Sequence, residues 1–131
     1  MAGPSLAPET LDALDASVEV DMLTPRRDGS TSRRPIWVVV ADGEAYVRSY
    51  RGASAAWYRR ALADGVAALE VDGRTIDVEL EPIRDADVDQ RVSEGYRAKY
   101  GEQSPGPTDA MVSPEVVETT LRLRQASDER P

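Results

Sequence analysis

The sequence contains no cysteine, histidine, phenylalanine or asparagine among its 131 residues. The absence of cysteine excludes a disulfide framework, a thiolate zinc site and a thiol nucleophile. The absence of histidine excludes a Ser-His-Asp triad, an imidazole metal site and an imidazole switch near neutral pH. Catalysis by this chain must therefore use carboxylates, tyrosines, hydroxyls, arginines or a bound cofactor.

The charge is negative on average but unevenly distributed. There are 16 Lys and Arg residues against 24 Asp and Glu residues, which gives a formal net charge of −8. Residues 24–60 hold eight arginines and three acidic residues, so this stretch carries +5 and the remainder −13. The acidic remainder repels phosphates and argues against a nucleic-acid partner. The basic stretch indicates a local site for a small anion.

Length and hydropathy predict one domain without a membrane partner. No apolar run is long enough to span a bilayer, and residues 1–8 lack the basic and apolar regions of a signal peptide. We therefore expect a cytoplasmic protein. Its single domain is expected over residues 8–125, between disordered ends at residues 1–7 and 126–131.

Periodicity and turn signals predict a mainly β, mixed α+β chain in the order α-β-β-β-α-β-β-α-β. Helices are expected to begin at Pro8, at Ser54 as a cap, and at Asp85. Three Asp-Gly steps predict antiparallel hairpins. Six strands with inserted helices favour a small antiparallel barrel, because closure removes exposed edges, over an open α+β sheet. The strands are predicted at residues 18–22, 35–40, 44–50, 67–71, 75–81 and 119–124.

The first candidate site is a predicted loop over residues 26–34. Arginine forks, hydroxyls and free amides together suit multidentate binding of a phosphate or carboxylate. A single surface arginine pair is usually only solvated, but a second cluster on the adjoining element favours a binding role. The candidate side chains of the loop are Arg26, Arg27, Ser30, Arg33 and Arg34.

The second candidate cluster precedes the helix expected at Ser54. An arginine and a glycine ahead of a helix N-terminus form a plausible anion site. Trp57, in the first turns of that helix, could wall a pocket for a flat ligand, whereas Trp37 lies in an apolar run typical of the core. The residues of this cluster are Ser49, Tyr50, Arg51 and Gly52.

Two tyrosines at helical spacing are candidates for acid–base chemistry. Tyr96 and Tyr100 flank Lys99, the only lysine. They could pack one helix face while Lys99 complements the helix dipole. Alternatively, a tyrosine hydroxyl is the best proton donor in a chain without histidine. The acidic residues near 85–89 lack the glycine and glutamate of a calcium loop, so no metal site is predicted.

The chain resembles a small bacterial family of unknown function within the flavin- and deazaflavin-binding split-barrel superfamily. This superfamily includes pyridoxamine-phosphate oxidase-like proteins and deazaflavin-dependent nitroreductases. The resemblance implies a six-stranded split barrel and a homodimer. The strings that carry it are RRDG at 26–29, PIWVV at 35–39, YVRSYRG at 46–52, WYR at 57–59, YRAKYG at 96–101 and TTLRL at 119–123.

The same resemblance implies a cofactor site. The loop arginines and Arg51 would hold the phosphate or acidic tail of FMN or of the deazaflavin coenzyme F-420. The backbone of Pro35, Ile36, Trp37 and Val38 would line its ring, with Ser49 near the reacting carbon. Tyr96 or Tyr100 would help shape the substrate site. The chain departs from the reductase pattern at Asp28 and at Arg51, which replaces a glycine.

Three functions remain open from the sequence. The first is an oxidoreductase that uses a flavin or deazaflavin for hydride transfer to a small organic molecule. The second is a non-redox enzyme, without a flavin, that uses the same anion pocket for an acidic metabolite. The third is a binding module that holds such a ligand without turnover.

Overall fold

The computed structural model describes residues 4–126, and this part of the chain has seven strands, five α-helices and a 3-10 turn at Gly52–Ser54. The strands are β1 (Val20–Pro25), β2 (Thr31–Ile36), β3 (Val39–Ala41), β4 (Glu44–Val47), β5 (Val66–Val71), β6 (Arg74–Pro82) and β7 (Leu121–Gln125). The helices are α1 (Pro8–Ala16), α2 (Ala56–Asp64), α3 (Ala86–Tyr100), α4 (Pro105–Met111) and α5 (Pro114–Val117).

The strands form one antiparallel sheet in the order β2-β1-β5-β6-β7-β4-β3, curled into a half-barrel. Its two edge strands, β2 and β3, are consecutive in the chain and are joined by Trp37 and Val38 alone. In a flat sheet of this size the edges would lie about 29 Å apart, whereas so short a link reaches about 11 Å. The sheet must therefore curl until its edges approach each other. β2 and β3 are not hydrogen-bonded to each other as neighbouring strands, so a split remains between them.

The α+β class and the hairpins are confirmed, but the strand count is seven rather than six. The strand predicted at 35–40 is divided at the link, because its halves join opposite edges of the sheet. The loop predicted at 26–34 is a short turn, in which Gly29 has a φ of +89° and Asp28 Oδ1 accepts the Ser30 N–H at 2.9 Å. Residues 31–34 therefore pair with β1, and Arg33 and Arg34 lie on a strand.

The helix predictions hold in part. Asp85 caps α3, and its Oδ1 accepts the backbone N–H groups of Asp87 and Val88 at 2.9 and 3.2 Å. Ser54 does not cap α2: its hydroxyl donates back to the Arg51 carbonyl, and Ala55 occupies the N-cap position. Between the last predicted helix and the last predicted strand the structure adds α4, which begins at a proline, a residue suited to the first turn of a helix.

Two hydrophobic clusters flank the sheet. The larger fills the half-barrel and includes Leu14, Met22 and Leu69, while the second packs α3 and α4 over the opposite face of β3 and β4. Lys99 connects the layers, since its Nζ donates to the carbonyls of Leu14 and Val38 at 3.0 and 2.7 Å. None of the helices within residues 4–126 is long and apolar enough to cross a membrane.

The terminal segments expected to be disordered are described only in part. Residues 1–3 and 127–131 lie outside the described residues. Within the N-terminal segment, Ser5 forms a β-bridge with Arg124 and Leu6 is buried in the larger cluster. Ala126 follows the end of β7.

Candidate functional site

Two contiguous cavities open at the split of the half-barrel, and they share Pro35, Tyr50 and Trp57 on their walls. We call the smaller one, of about 240 Å³, the inner cavity. We call the larger one, of about 600 Å³, the outer groove. The inner cavity is lined by Glu19, Pro35, Ile36, Trp37, Arg48, Tyr50, Trp57, Pro107 and Met111. The outer groove is lined by Arg34, Pro35, Tyr50, Arg51, Ser54, Ala55, Ala56 and Trp57.

A hydrogen-bonded turn places two of these residues. The Gly52 N–H donates to the Ser49 carbonyl at 2.9 Å, and the Ser49 hydroxyl donates to the Gly52 carbonyl at 2.7 Å. Gly52 has a φ of +76°, a conformation in which a side chain would be strained. The turn leaves Tyr50 exposed at its tip, with Arg51 beside it. The buried Ser49 therefore holds the turn that positions Tyr50 and Arg51.

Two arginines give the outer groove its charge. Arg34 projects from β2 and Arg51 from the turn after β4, and both side chains are exposed on the groove wall. Within residues 4–126, neither guanidinium has a hydrogen bond or an ion pair. Two unpaired guanidinium groups on one wall can hold a phosphate or carboxylate through charge-assisted hydrogen bonds.

Aromatic rings form flat walls on the inner cavity. Trp37 stacks on Tyr100 with ring centroids 3.8 Å apart and the planes 3° from parallel. The Tyr100 hydroxyl donates to the Val18 carbonyl at 2.6 Å and fixes the stack from outside. Trp57 is 8 % exposed and packs edge-on against Tyr58. Trp37 packs against the second hydrophobic cluster, in agreement with its apolar run, and also lines the cavity.

The cationic group on the inner cavity is Arg48, which no sequence motif singled out. It is 1 % exposed, and desolvation lowers the pKa of its guanidinium. Four hydrogen bonds reach neutral oxygens, and the Tyr96 ring lies 5.4 Å from its guanidinium carbon. Arg48 lies in the strand predicted at residues 44–50, and no pattern in that stretch indicated burial. The acceptors are Thr120 Oγ1, Ser93 Oγ and the backbone carbonyls of Met111 and Asp89.

The remaining predicted loop residues do not line either cavity. Arg26 donates to Ser30 Oγ at 3.1 Å across its own hairpin turn, and Arg27 is exposed there. Arg33 donates to Asp21 and Glu70 at 2.7 and 2.6 Å, because β-strand alternation points it away from the face of Arg34. Of the arginines predicted in this segment, the structure brings only Arg34 to the groove.

The three predicted catalytic hydroxyls all lie off the cavity walls. Ser49 is fully buried in its turn, and the Tyr100 hydroxyl is held by Val18. The Tyr96 hydroxyl is buried without a hydrogen-bond partner in the described chain, and burial raises the pKa of this phenol. Burial likewise raises the pKa of Tyr100 to about 12. The accessible phenol at the site is Tyr50, which is 56 % exposed.

Other features of the described chain carry less chemistry. No group of three potential metal ligands occurs within residues 4–126. An open groove of about 640 Å³ crosses β1, β5 and β6, but neither an arginine nor a tryptophan lines it. The anion-binding and aromatic features are therefore concentrated at the split.

The chain belongs to a bacterial family described as "Uncharacterized protein conserved in bacteria (DUF2255)", which matches residues 10–123. No curated protein matches the chain in sequence. The fold, however, is shared with several solved structures.

Three of these structures illustrate the range of the fold. The conserved hypothetical protein Rv2991 from Mycobacterium tuberculosis is 16 % identical with a TM-score of 0.62, over 98 % of this chain and 85 % of that one. HutZ, a heme storage protein from Vibrio cholerae, is 14 % identical with a TM-score of 0.61, over 96 % and 92 %. An F420-H2-dependent reductase, FDR-A, is 12 % identical with a TM-score of 0.59, over 82 % and 94 %. At these identities the likeness shows the split-barrel fold.

Proposed function

We propose that the outer groove binds a flavin or deazaflavin coenzyme and that the protein is an oxidoreductase acting on a small organic molecule. The observation that carries this proposal is the pair of unpaired guanidinium groups, Arg34 and Arg51, beside a cavity with aromatic walls. Such coenzymes combine an anionic tail with a flat ring, and the outer groove offers both guanidinium groups and the Trp57 side chain on its walls. The fold shared with FDR-A supports the same proposal.

The residues present fit such a group. Arg34 and Arg51 would hold its phosphate or acidic tail, while Pro35 and Trp57, where the groove meets the inner cavity, would contact its ring. The coenzyme, when bound, supplies hydride transfer, which the side chains of this chain cannot supply. The protein's own contribution is to orient the two molecules and to exclude water between the tryptophans.

The experiment is a titration of purified protein with FMN and with the deazaflavin coenzyme, followed by absorbance. We expect Arg34→Ala and Arg51→Ala each to weaken binding by about 1.5–3 kcal/mol, because each removes a charged hydrogen-bond donor. Arg59→Ala is the matched control, since Arg59 is exposed on the helix that carries Trp57 but does not line the groove. Failure of the native protein to bind either coenzyme at high micromolar concentration would refute the proposal.

A binding role without turnover is the second candidate. It is favoured by the positions of Ser49, Tyr96 and Tyr100, whose hydroxyls lie away from the cavity walls. HutZ, whose fold this chain shares, is described as a heme storage protein, which supports a ligand-holding role. Coenzyme binding without oxidation of the reduced coenzyme by any of a panel of small organic acceptors would support this second candidate.

We also propose a homodimer. The open groove across β1, β5 and β6 carries apolar side chains of Leu23, Val66 and Ala68, and Val66 is 45 % exposed. Pairing of two copies across this face would remove that apolar surface from water. Sedimentation velocity tests this proposal, and we expect Val66→Glu to shift the protein toward the monomer. A native protein that sediments as a monomer at micromolar concentration contradicts it.

A further inference from the structure

The Arg48 guanidinium has its hydrogen bonds largely satisfied but no counter-ion in contact. It has five N–H groups, of which four donate to the oxygens of Thr120, Ser93, Met111 and Asp89. One N–H, on Nη2, therefore has no partner within residues 4–126. Asp89 contributes its backbone carbonyl, while its carboxylate Oδ1 is buried without a hydrogen-bond partner.

Burial of such a cation is unfavourable unless an anion compensates it. Neutral acceptors replace the hydration of the N–H groups, but they leave the charge without direct neutralisation. The Asp89 carboxylate lies close enough to raise the pKa of Arg48, but it forms no ion pair with it. Desolvation outweighs this effect and lowers the pKa of Arg48 overall. The free N–H and the residual charge both point to an anionic acceptor supplied from outside the chain.

The shape of the inner cavity defines what could supply that acceptor. Arg48 is one of its lining residues, and Trp37 and Trp57 contribute flat side chains to the same walls. Because one face of Trp37 is occupied by Tyr100, the stack is rigid and presents a fixed surface. A volume of about 240 Å³ suits a single small ring system. Glu19 is exposed on the cavity wall, which disfavours a second negative charge on the ligand.

We propose that the inner cavity binds a planar aromatic monocarboxylate and that Arg48 is the residue that binds its carboxylate. This inference rests on the proposed function, in which the molecule would be the substrate beside the coenzyme in the outer groove. The aromatic walls hold the ring, and the free N–H of Arg48 selects for the acid over its neutral amide. A phosphate monoester is disfavoured, because its second charge would meet Glu19 and Asp89.

The test uses the native chain without coenzyme, with benzoate and benzamide as probes of equal shape and different charge. Both tryptophans of the chain line the inner cavity, and Trp57 also lines the outer groove. Their fluorescence therefore reports occupancy of either space, and the Arg51→Ala variant distinguishes the two. Isothermal calorimetry gives the affinities independently. We expect benzoate to bind at least about tenfold more tightly than benzamide, because a charged carboxylate accepts a stronger hydrogen bond from the guanidinium than a neutral amide does. Equal affinities, or no binding of either probe, overturn the proposal.

Variants then locate the contact. We expect Arg48→Met to abolish the preference for benzoate, while Arg60→Met, which alters a half-buried arginine bonded to Thr24, retains it. If Arg48→Met does not fold by circular dichroism, the comparison of the two probes on the native chain decides the proposal. Arg51→Ala separates the two proposals: it should weaken coenzyme binding and leave benzoate affinity unchanged. Retention of the preference in a folded Arg48→Met variant overturns the role of Arg48.

Discussion

Gly95 on α3 allows a close approach that a methyl group would prevent. A Cβ built at Gly95 would lie 2.4 Å from Val39 Cγ1, at least 1.0 Å inside the ordinary contact distance of 3.4 Å. Val39 is buried in the second hydrophobic cluster, and its other methyl group is also within 4 Å of that position. Relief therefore requires Val39 to change its rotamer inside this packed cluster, or α3 or β3 to move.

The expected magnitude for Gly95→Ala follows from two opposing effects. Overpacking of a core contact destabilises by about 1–3 kcal/mol, while alanine gains about 1 kcal/mol over glycine in a helix interior. Because the contact lies 1.0 Å inside the ordinary distance, we expect the upper part of the overpacking range, about 2–3 kcal/mol, and hence a net loss of about 1–2 kcal/mol in the free energy of unfolding. Gly106→Ala on α4 is the matched control, because no atom lies within 4 Å of its Cβ position. That control should be neutral or slightly stabilising.

The assay is urea denaturation followed by circular dichroism, with the slope of the transition checked for constancy. Val39→Ala in the Gly95→Ala background should relieve the contact, so the double variant should be more stable than the sum of the single effects indicates. A coupling of about 0.5–3 kcal/mol is typical of directly contacting residues. A Gly95→Ala variant as stable as the native protein, or strictly additive effects, would refute this explanation.

Three further predictions concern ionisation, the aromatic stack and a turn. Burial is the largest effect on the pKa of Glu44 and raises it, but hydrogen bonds from Arg124 and Ser5 together lower it below its ordinary 4.5. The ionised Glu44 therefore stabilises the folded state above that pH, and this contribution is lost on acidification. Glu44→Gln should flatten the acid limb of a plot of stability against pH. Tyr100→Phe should lower the free energy of unfolding by about 1 kcal/mol in urea denaturation, because it removes one hydrogen bond. Coenzyme affinity, measured by titration, should not change. Loss of turnover without loss of binding would instead indicate a catalytic role for Tyr100. Gly43→Ala, at a φ of +76°, should destabilise the β3–β4 hairpin by about 1 kcal/mol in thermal unfolding, and a neutral effect would contradict the turn geometry.

Local signals in the sequence located most elements. The Asp-Gly steps at 28–29, 42–43 and 72–73 each form a hairpin turn, because aspartate and glycine tolerate positive φ. Asp85 caps the helix that it was predicted to begin. Arg34, Tyr50 and Arg51, which line the cavities, were selected because arginines and hydroxyls cluster in a predicted loop and ahead of a predicted helix.

Local sequence patterns do not decide a chemical property that depends on distant partners. Arg33 and Arg34 are neighbours with the same side chain, yet one is ion-paired to Glu70 and the other lines the groove. The two side chains have different surroundings because successive residues of a strand point to opposite faces of the sheet. The register that decides the face is set by pairing with β1, which no local pattern encodes.

The sequence by itself determined that this chain has neither imidazole nor thiol chemistry and that its positive charge is concentrated in residues 24–60. Only the tertiary structure decided what that charge does. It divides the arginines among the hairpin turn, an outer-face ion pair, the groove and the buried position of Arg48. The reason is that burial and pairing depend on residues far away in the chain, such as Thr120, which curling of the sheet and packing of the helices bring to the split.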